Sequence, residues 1–197
     1  MFVTFEGIDG SGKTTQAGLL ADELRARGAD VVVTREPGGT PLGEAVRDLV
    51  LHGDHVAPWA EAALYTAARA QHVEEVIRPA LERRAVVICD RYLDSSVAYQ
   101  GAGRGLGVDA VLDLNLEAVG GLLPDWTVLV DVDAAVAAER VGDIRDRIER
   151  DGLELQQRAA AAYRALAERF PARFVVVDGA LAPDEIATYV REAILPA

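Results

Sequence analysis

The sequence predicts an α/β fold: a five-stranded parallel sheet flanked by helices. Three features of the chain predict it. Short apolar runs of strand length alternate with longer segments of helical character along its whole length, the pattern of strands joined by helical crossovers. The first run, Phe2–Glu6, passes through a glycine-rich turn directly into a helix. A later run, Ala85–Cys89, is continuously apolar, as expected of a strand covered on both faces.

In chain order, Phe2–Glu6 is the first strand and Lys13–Arg27 the first helix, ended by Gly28. Val31–Thr34 is the second strand, followed by the turn-rich loop Arg35-Glu36-Pro37-Gly38-Gly39-Thr40. Leu42–Leu51 reads as a helix, with a polar loop to Pro58. Ala60–Arg83 reads as one long helix, disturbed at Pro79 because proline lacks the N–H that an interior position needs. After the third strand, Ala85–Cys89, a helical region spans about Ser95–Gln100, then a Gly-rich loop leads to a helix over Val108–Gly120. Trp126–Val132 is the fourth strand, Ala134–Arg140 a helix start, and Gly142–Arg150 a charged loop. Helix Leu153–Arg169, strand Phe174–Val177 and helix Pro183–Ile194 complete the chain. No repeat, low-complexity tract or linker interrupts it, so residues 1–197 are expected to form a single domain.

Composition bounds what the protein does. The chain has 197 residues, half of them apolar and 26% charged, an ordinary globular balance that supports a substantial core. A net charge of −12 argues against nucleic acid as a partner, since such binding needs phosphate neutralisation. A small anionic substrate remains compatible, because a site can be locally basic inside an acidic protein. Cys89 is the only cysteine, so no internal disulfide can form, and its apolar surroundings predict a buried, inert thiol. No apolar run approaches the ~20 residues of a membrane span, and the first residues read as a strand rather than a signal peptide. A soluble, cytoplasmic protein is expected.

The turn after the first strand carries the chemistry. Gly7, Gly12, Lys13 and Thr14 fill the pattern G-x-x-x-x-G-K-[ST], with Ile8, Asp9, Gly10 and Ser11 at the variable positions and Thr15 next in line. Phosphate oxygens need many donors at close range, and glycines let backbone N–H groups converge on them without Cβ clashes. The helix N-terminus adds its partial positive charge. Lys13 can reach the β- and γ-phosphates of a nucleoside triphosphate, and the Thr14 hydroxyl can ligate Mg²⁺. Lys13 is also the only lysine, since 19 of the 20 basic residues are arginine. It marks a position where a planar guanidinium would not replace a compact ammonium. A dinucleotide-binding G-x-G-x-x-G would need glycine at Thr15, and the base-reading N-K-x-D of a GTPase would need a second lysine.

Val86-Val87-Ile88-Cys89-Asp90 places an acid at the end of the third strand, as in the second motif of nucleoside triphosphatases, where it helps hold Mg²⁺. Arg91 follows, suited to a bidentate grip on a second phosphate. The other arginines, taken singly, are most simply solvated or paired with surface acids. His52, His55 and His72 show no pattern for a metal or a catalytic triad and are expected to be structural or at the surface.

Taken together, the motifs resemble thymidylate kinase. They are Phe5-Glu6-Gly7-Ile8-Asp9-Gly10-Ser11-Gly12-Lys13-Thr14-Thr15, Thr34-Arg35-Glu36-Pro37-Gly38-Gly39-Thr40, Asp90-Arg91-Tyr92, Ser95-Ser96-Val97-Ala98-Tyr99-Gln100-Gly101, Ala67-Ala68-Arg69 and Asp146-Arg147-Ile148-Glu149. They cover nearly the whole chain in order. The resemblance implies transfer of the γ-phosphoryl group of ATP to dTMP, with Mg²⁺, on a P-loop kinase fold with a mobile lid at about residues 141–150, commonly as a homodimer. It implies that Gly7 through Thr15 bind ATP and that Thr14 and Asp90 hold the metal. Arg47 and Arg91 would grip the acceptor phosphate in a pocket shaped by Glu36. Tyr65 would stack on thymine, Arg69 would donate to a thymine carbonyl, and Ser96 or Gln100 would accept from N3–H. Tyr99 would lie against the sugar and Asp9 would accept from its 3′-hydroxyl. Read from the residues alone, Tyr65 and Tyr99 would be core packing. The segment from Val132 to Asp146 is about two residues shorter than the family pattern. Arg145 is the first choice for a catalytic lid arginine beside Lys13 and Arg91, with Arg140 in reserve. Two rivals stay open: a P-loop kinase of another acceptor, and a P-loop ATPase switch.

Overall fold

The computed structural model describes residues 1–141 and 152–195. Five parallel strands, β1 (Phe2–Glu6), β2 (Val31–Arg35), β3 (Val86–Asp90), β4 (Trp126–Asp131) and β5 (Phe174–Asp178), form one sheet in the order β2-β3-β1-β4-β5. The predicted parallel sheet is therefore present, each strand end within about a residue of its expected position.

The connections explain the layers. After β1 the chain moves past β3 to the β2 edge, and every later connection moves the opposite way across the sheet. Right-handed crossovers taken in opposite directions deliver their helices to opposite faces. Thus α1 (Lys13–Ala26) lies on one face, joined there by the last helix, α9 (Pro183–Ile194); Leu20 and Leu24 pack with Ile186 and Val190 against Val3, Phe5 and Ile88. The other face carries α2 (Pro41–His52), α3 (Pro58–His72), α4 (Arg78–Glu82), α5 (Leu93–Ser96), α6 (Val108–Ala118), α7 (Ala134–Val141) and α8 (Leu153–Arg169). Its core includes Phe2, Val50, Tyr92, Leu129 and Tyr163. Strand alternation assigns Val3 and Phe5 to the first face, leaving Glu6 on the second. The crossovers leaving β1 and β3 diverge, opening a crevice at the carboxyl ends of these adjacent strands, where ligands of open α/β sheets bind.

Two departures from the expected helices flank that crevice. The segment expected as one helix over Ala60–Arg83 begins at Pro58 and contains a π-helical turn, Val73–Ile77. Here Arg78 N–H reaches back five residues to Val73 O. The disturbance lies just before Pro79 because its missing N–H deprives an earlier carbonyl, and the ladder widens to re-satisfy the turn. The second helical region begins at Leu93 and continues as a π-helical turn over Val97–Gly103. It closes with Arg104 N–H on Tyr99 O at 2.8 Å. The helix expected over Val108–Gly120 ends at Ala118, where Gly120 and Gly121 take positive φ.

One buried ion pair ties this site-bearing segment to the sheet. Asp94, fully buried on α5, takes Arg173 Nη1 at 2.7 Å and Nη2 at 2.8 Å. Arg173 stands just before β5. Removing one partner of a buried pair leaves the other charge uncompensated, so Asp94→Ala is expected to cost about 3–5 kcal/mol of stability. Urea unfolding of the variant beside the parent checks this, and an unchanged midpoint would make the pair dispensable.

Candidate active site

The glycine-rich turn sits where β1 hands over to α1. Gly12 precedes the helix at φ 99°, no side chain caps the helix start, and no acid lies in its first turn. The first N–H groups of α1 are therefore left for an external anion. Gly10, at φ 81°, permits close approach to α7, since a Cβ there would stand 2.3 Å from Ala137 O. Lys13 is buried, and its Nζ donates to Ile8 O at 2.9 Å. Burial, then the nearby Arg91 guanidinium, push this ammonium down to about 8, against the pull of Asp9 and Asp90. The Thr14 hydroxyl donates to Asp90 Oδ2 at the end of β3. A hydroxyl and a carboxylate oxygen in contact beside the phosphate turn are a donor set suited to a hard divalent cation.

Next to this turn lies an open cleft of about 100 Å³. All nine residues expected on the acceptor side line it: Asp9, Glu36, Arg47, Tyr65, Arg69, Arg91, Ser96, Tyr99 and Gln100. They come from five separate stretches of chain. Ser96, Tyr99 and Gln100 share one side of a helical segment, as the spacing i, i+3, i+4 requires.

Arg91 joins the cleft to the phosphate turn. It takes φ 70°, and its N–H donates to Phe5 O at 2.9 Å, locking β3 to β1. Its guanidinium pairs with Asp9 and donates through Nη1 to Gly7 O at 3.0 Å, Ser95 Oγ at 3.2 Å and Tyr163 Oη at 3.3 Å. It also lies over the Tyr99 ring, 5.3 Å from the centroid. Burial raises the Asp9 carboxyl, but Arg91 and then Lys13 outweigh it and hold Asp9 at about 2. The Tyr99 hydroxyl shares its proton between Gln156 Oε1 at 2.9 Å and Asp9 Oδ2 at 3.3 Å.

Arg69 is more committed than its sequence suggests. Its Nε donates to Glu36 Oε2 at 2.6 Å, Nη1 to Ser96 Oγ at 3.0 Å and to Asn115 Oδ1, and Nη2 to Tyr92 O at 3.1 Å. Among the described residues these bonds use four of its five N–H donors, leaving one on Nη2. Glu36 uses both oxygens, the second taking His72 Nδ1 at 2.8 Å, while His72 Nε2 meets Thr34 Oγ1 at 2.7 Å. His72 is thus a fully buried structural residue, whereas His52 and His55 are exposed. Arg47 Nη1 donates to Pro37 O at 3.0 Å, beyond the cis Glu36–Pro37 peptide. Cys89 is buried, as expected, and its thiol donates to Arg91 O at 3.0 Å.

Several functional neighbours escape a sequence reading. Glu6 is buried beneath Arg91 and accepts from Tyr92 N at 2.7 Å, Ser95 Oγ at 2.6 Å and Tyr163 Oη at 2.9 Å. Burial, then the charge of Asp94, raise its carboxyl to about 7. Gln156 Nε2 donates to Asp9 Oδ2 at 3.2 Å. Glu6 had one available signal, an acid closing an otherwise apolar strand; Tyr163 and Gln156, inside an ordinary amphipathic helix, had none. Arg145, Asp146, Arg147 and Glu149 lie outside the described residues. Arg140 places Nη1 3.0 Å from Gly179 O.

The site thus sets an anion-binding turn beside a cleft with three arginines and an aromatic wall. A phosphorylated donor and a phosphorylated, ring-bearing acceptor can meet there. A family model described as Thymidylate kinase matches residues 5–190. The chain belongs to the thymidylate kinase family. A protein named Thymidylate kinase from Clavibacter sepedonicus is 53% identical over 195 residues, covering 97% of this chain and 92% of its own. Another of that name, from Leifsonia xyli subsp. xyli, is 55% identical over 196 residues, covering 97% and 92%. The crystal structure of thymidylate kinase from Ehrlichia chaffeensis superposes with a TM-score of 0.84 at 35% identity, covering all of this chain and 98% of that one. As a thymidylate kinase family member the chain is an enzyme, a kinase of the transferase class. No helix among the described residues is long and apolar enough to cross a membrane.

Proposed function

We propose that the chain transfers the γ-phosphoryl group of ATP to dTMP, giving dTDP and ADP. The observation that carries this is Arg91, which reaches the phosphate turn through Asp9 and Gly7 O and the cleft through Tyr99. Phosphoryl transfer needs positioning and charge stabilisation more than covalent chemistry. Gly7 through Thr15 hold the ATP phosphates with backbone N–H groups, and Lys13 supplies the ammonium. Thr14 and Asp90 would hold Mg²⁺, which when bound neutralises charge on the β- and γ-phosphates. Arg91 and Arg47 hold the acceptor phosphate in line and offset the repulsion between two polyanions. Tyr65 stacks on thymine, Glu36 shapes the pocket through Arg69, and the remaining Nη2 proton of Arg69 serves a thymine carbonyl. Of the two acceptors expected for N3–H, Ser96 Oγ already accepts one bond, from Arg69 Nη1, and the Gln100 amide is held through its nitrogen by Glu61 with its oxygen as the acceptor end, which favours Gln100. Asp9 accepts from the sugar 3′-hydroxyl and Tyr99 closes the space a 2′-hydroxyl would need. Arg145 is assigned the charge developing on the transferred group, with Arg140 in reserve. A homodimer working in the cytoplasm belongs to the same proposal.

A panel of monophosphate acceptors in an ADP-release assay tests it. dTMP is expected to give the highest kcat/KM, exceeding its ribose counterpart by roughly 10²-fold, because a hydroxyl pressed against a ring is left unpaired. Preference for another base, or fast ATP turnover with no acceptor, would overturn the assignment.

Lys13 makes ATP binding pH-dependent. Its pKa in the free enzyme, about 8, lies below the ordinary lysine value. The triphosphate favours the charged ammonium, so binding takes up a proton above that pH. ATP affinity should therefore fall as pH rises through 8, by roughly tenfold between pH 7 and pH 9. Titrations of ATP at the two pH values decide, and equal affinity would detach Lys13 from the phosphates.

A further inference from the structure

Glu61 stands in the first turn of α3, fully buried, with no part in the chemistry above. Its Oε1 accepts from Gln100 Nε2 at 2.8 Å and from Arg104 Nε at 3.1 Å, and its Oε2 accepts from Arg104 Nη2 at 3.1 Å. A buried acid gripped by an arginine fork is ordinarily a structural pair. Here the same carboxylate also holds the amide of a residue that lines the cleft.

A glutamine amide has two ends of nearly equal shape and opposite chemistry: the oxygen only accepts and the nitrogen only donates. Left alone, Gln100 could turn either end to a ligand. A carboxylate paired with Arg104 accepts and has nothing to donate, so it can bind Nε2 and repels Oε1. With Nε2 held by Glu61, the other end of the amide is the oxygen, a hydrogen-bond acceptor on a residue that lines the cleft. Thymine carries a donor at N3, whereas cytosine carries an acceptor there. An oxygen held toward N3 satisfies the first and leaves the second facing a lone pair.

We infer that Glu61 is a positioning residue for base selectivity. By binding Gln100 Nε2 it presents Gln100 Oε1 to the N3–H of the acceptor base and excludes a base with an acceptor at N3. Arg104 holds Glu61 in register through two N–H donors, so the arrangement spans α3 and the π-helical turn that ends at Gly103. This rests on the reading of the chain as a dTMP-phosphorylating enzyme.

The readout is the ratio of kcat/KM for dTMP to that for dCMP. In Glu61→Gln the new amide can donate as well as accept, so the Gln100 amide can turn over. The ratio is expected to fall by about tenfold, the scale of one hydrogen bond converted to a mismatch. Should a neutral partner for Arg104 disturb folding, the double variant Glu61→Met with Arg104→Met removes both charges, a replacement buried pairs commonly tolerate. It releases Gln100 equally and should show the same loss of selectivity. A purely structural role would lower turnover of both substrates alike and leave the ratio unchanged. A ratio within about threefold of the parent in a folded variant overturns the inference, because that change is too small for a lost orienting bond. A parent enzyme that fails to phosphorylate dTMP would instead overturn the functional reading itself.

Discussion

Lys13→Arg is expected to lower kcat/KM for ATP by roughly 10²- to 10³-fold although the charge is kept, the cost of losing a well-placed donor to a transferring phosphoryl group. The site explains why. Lys13 Nζ lies 2.9 Å from Ile8 O inside the phosphate turn, and the side chain is 6% exposed. A guanidinium is wider, planar and fixed in its donor directions, whereas an ammonium is compact and can point its three protons anywhere. The turn offers little slack, since Gly10 already lets the backbone approach Ala137 O and Arg91 lies close enough to depress the lysine. A second guanidinium in that space would meet the first. Nineteen arginines and a single lysine show that the chain uses arginine at every other basic position. Steady-state kinetics of the purified, folded variant decide the matter: activity within about threefold of the parent, a small change on the scale of mutant kinetics, would mean that charge alone suffices.

The parts of this site that sequence made legible are those whose chemistry is local. The phosphate turn is continuous in the chain, so its glycines, Lys13 and Thr14 could be read in register with strand and helix. Asp90 and Arg91 were legible because a strand end is marked by the stop of an apolar run. The remaining acceptor residues were legible only through family resemblance, and the fold then brought all of them to one cleft. What stayed hidden depends on tertiary partners. Arg69 reads as a single cation, yet four of its five donors are taken by groups from three other segments. Gln156 reads as the polar side of a helix, but it meets Asp9 147 positions earlier. The π-helical turn at Val73–Ile77 was displaced from Pro79, the residue that announces it, because proline's missing donor is felt one turn upstream.

Arg91→Met is expected to lower kcat/KM for dTMP on the order of 10³-fold, at the upper end for removal of one electrostatic donor. Arg91 is held from four sides, by Asp9, Gly7 O, Ser95 and Tyr163. Beneath it Glu6 fixes Ser95 and Tyr163, at 2.6 and 2.9 Å. This preorganisation means that little reorganisation is needed when the acceptor phosphate arrives. Its loss has two consequences of the same sign. The phosphate loses a fork of N–H donors, and the Asp9 carboxylate, held at about 2 chiefly by Arg91 and Lys13 against its burial, becomes an uncompensated negative charge where two polyanions must meet. Arg91→Lys separates these effects. It restores a positive charge near Asp9 but not the bidentate geometry, so it should recover only part of the loss. A double variant, Arg91→Met with Asp9→Asn, removes the exposed charge as well and should stay far below the parent, because the grip on the phosphate is still missing. The effect should appear in KM for dTMP and in kcat together, since Arg91 contacts the acceptor both before and during transfer. An Arg91→Met enzyme that keeps kcat/KM within about tenfold of the parent, far less than one transition-state donor supplies, would show that Arg47 holds the acceptor phosphate alone.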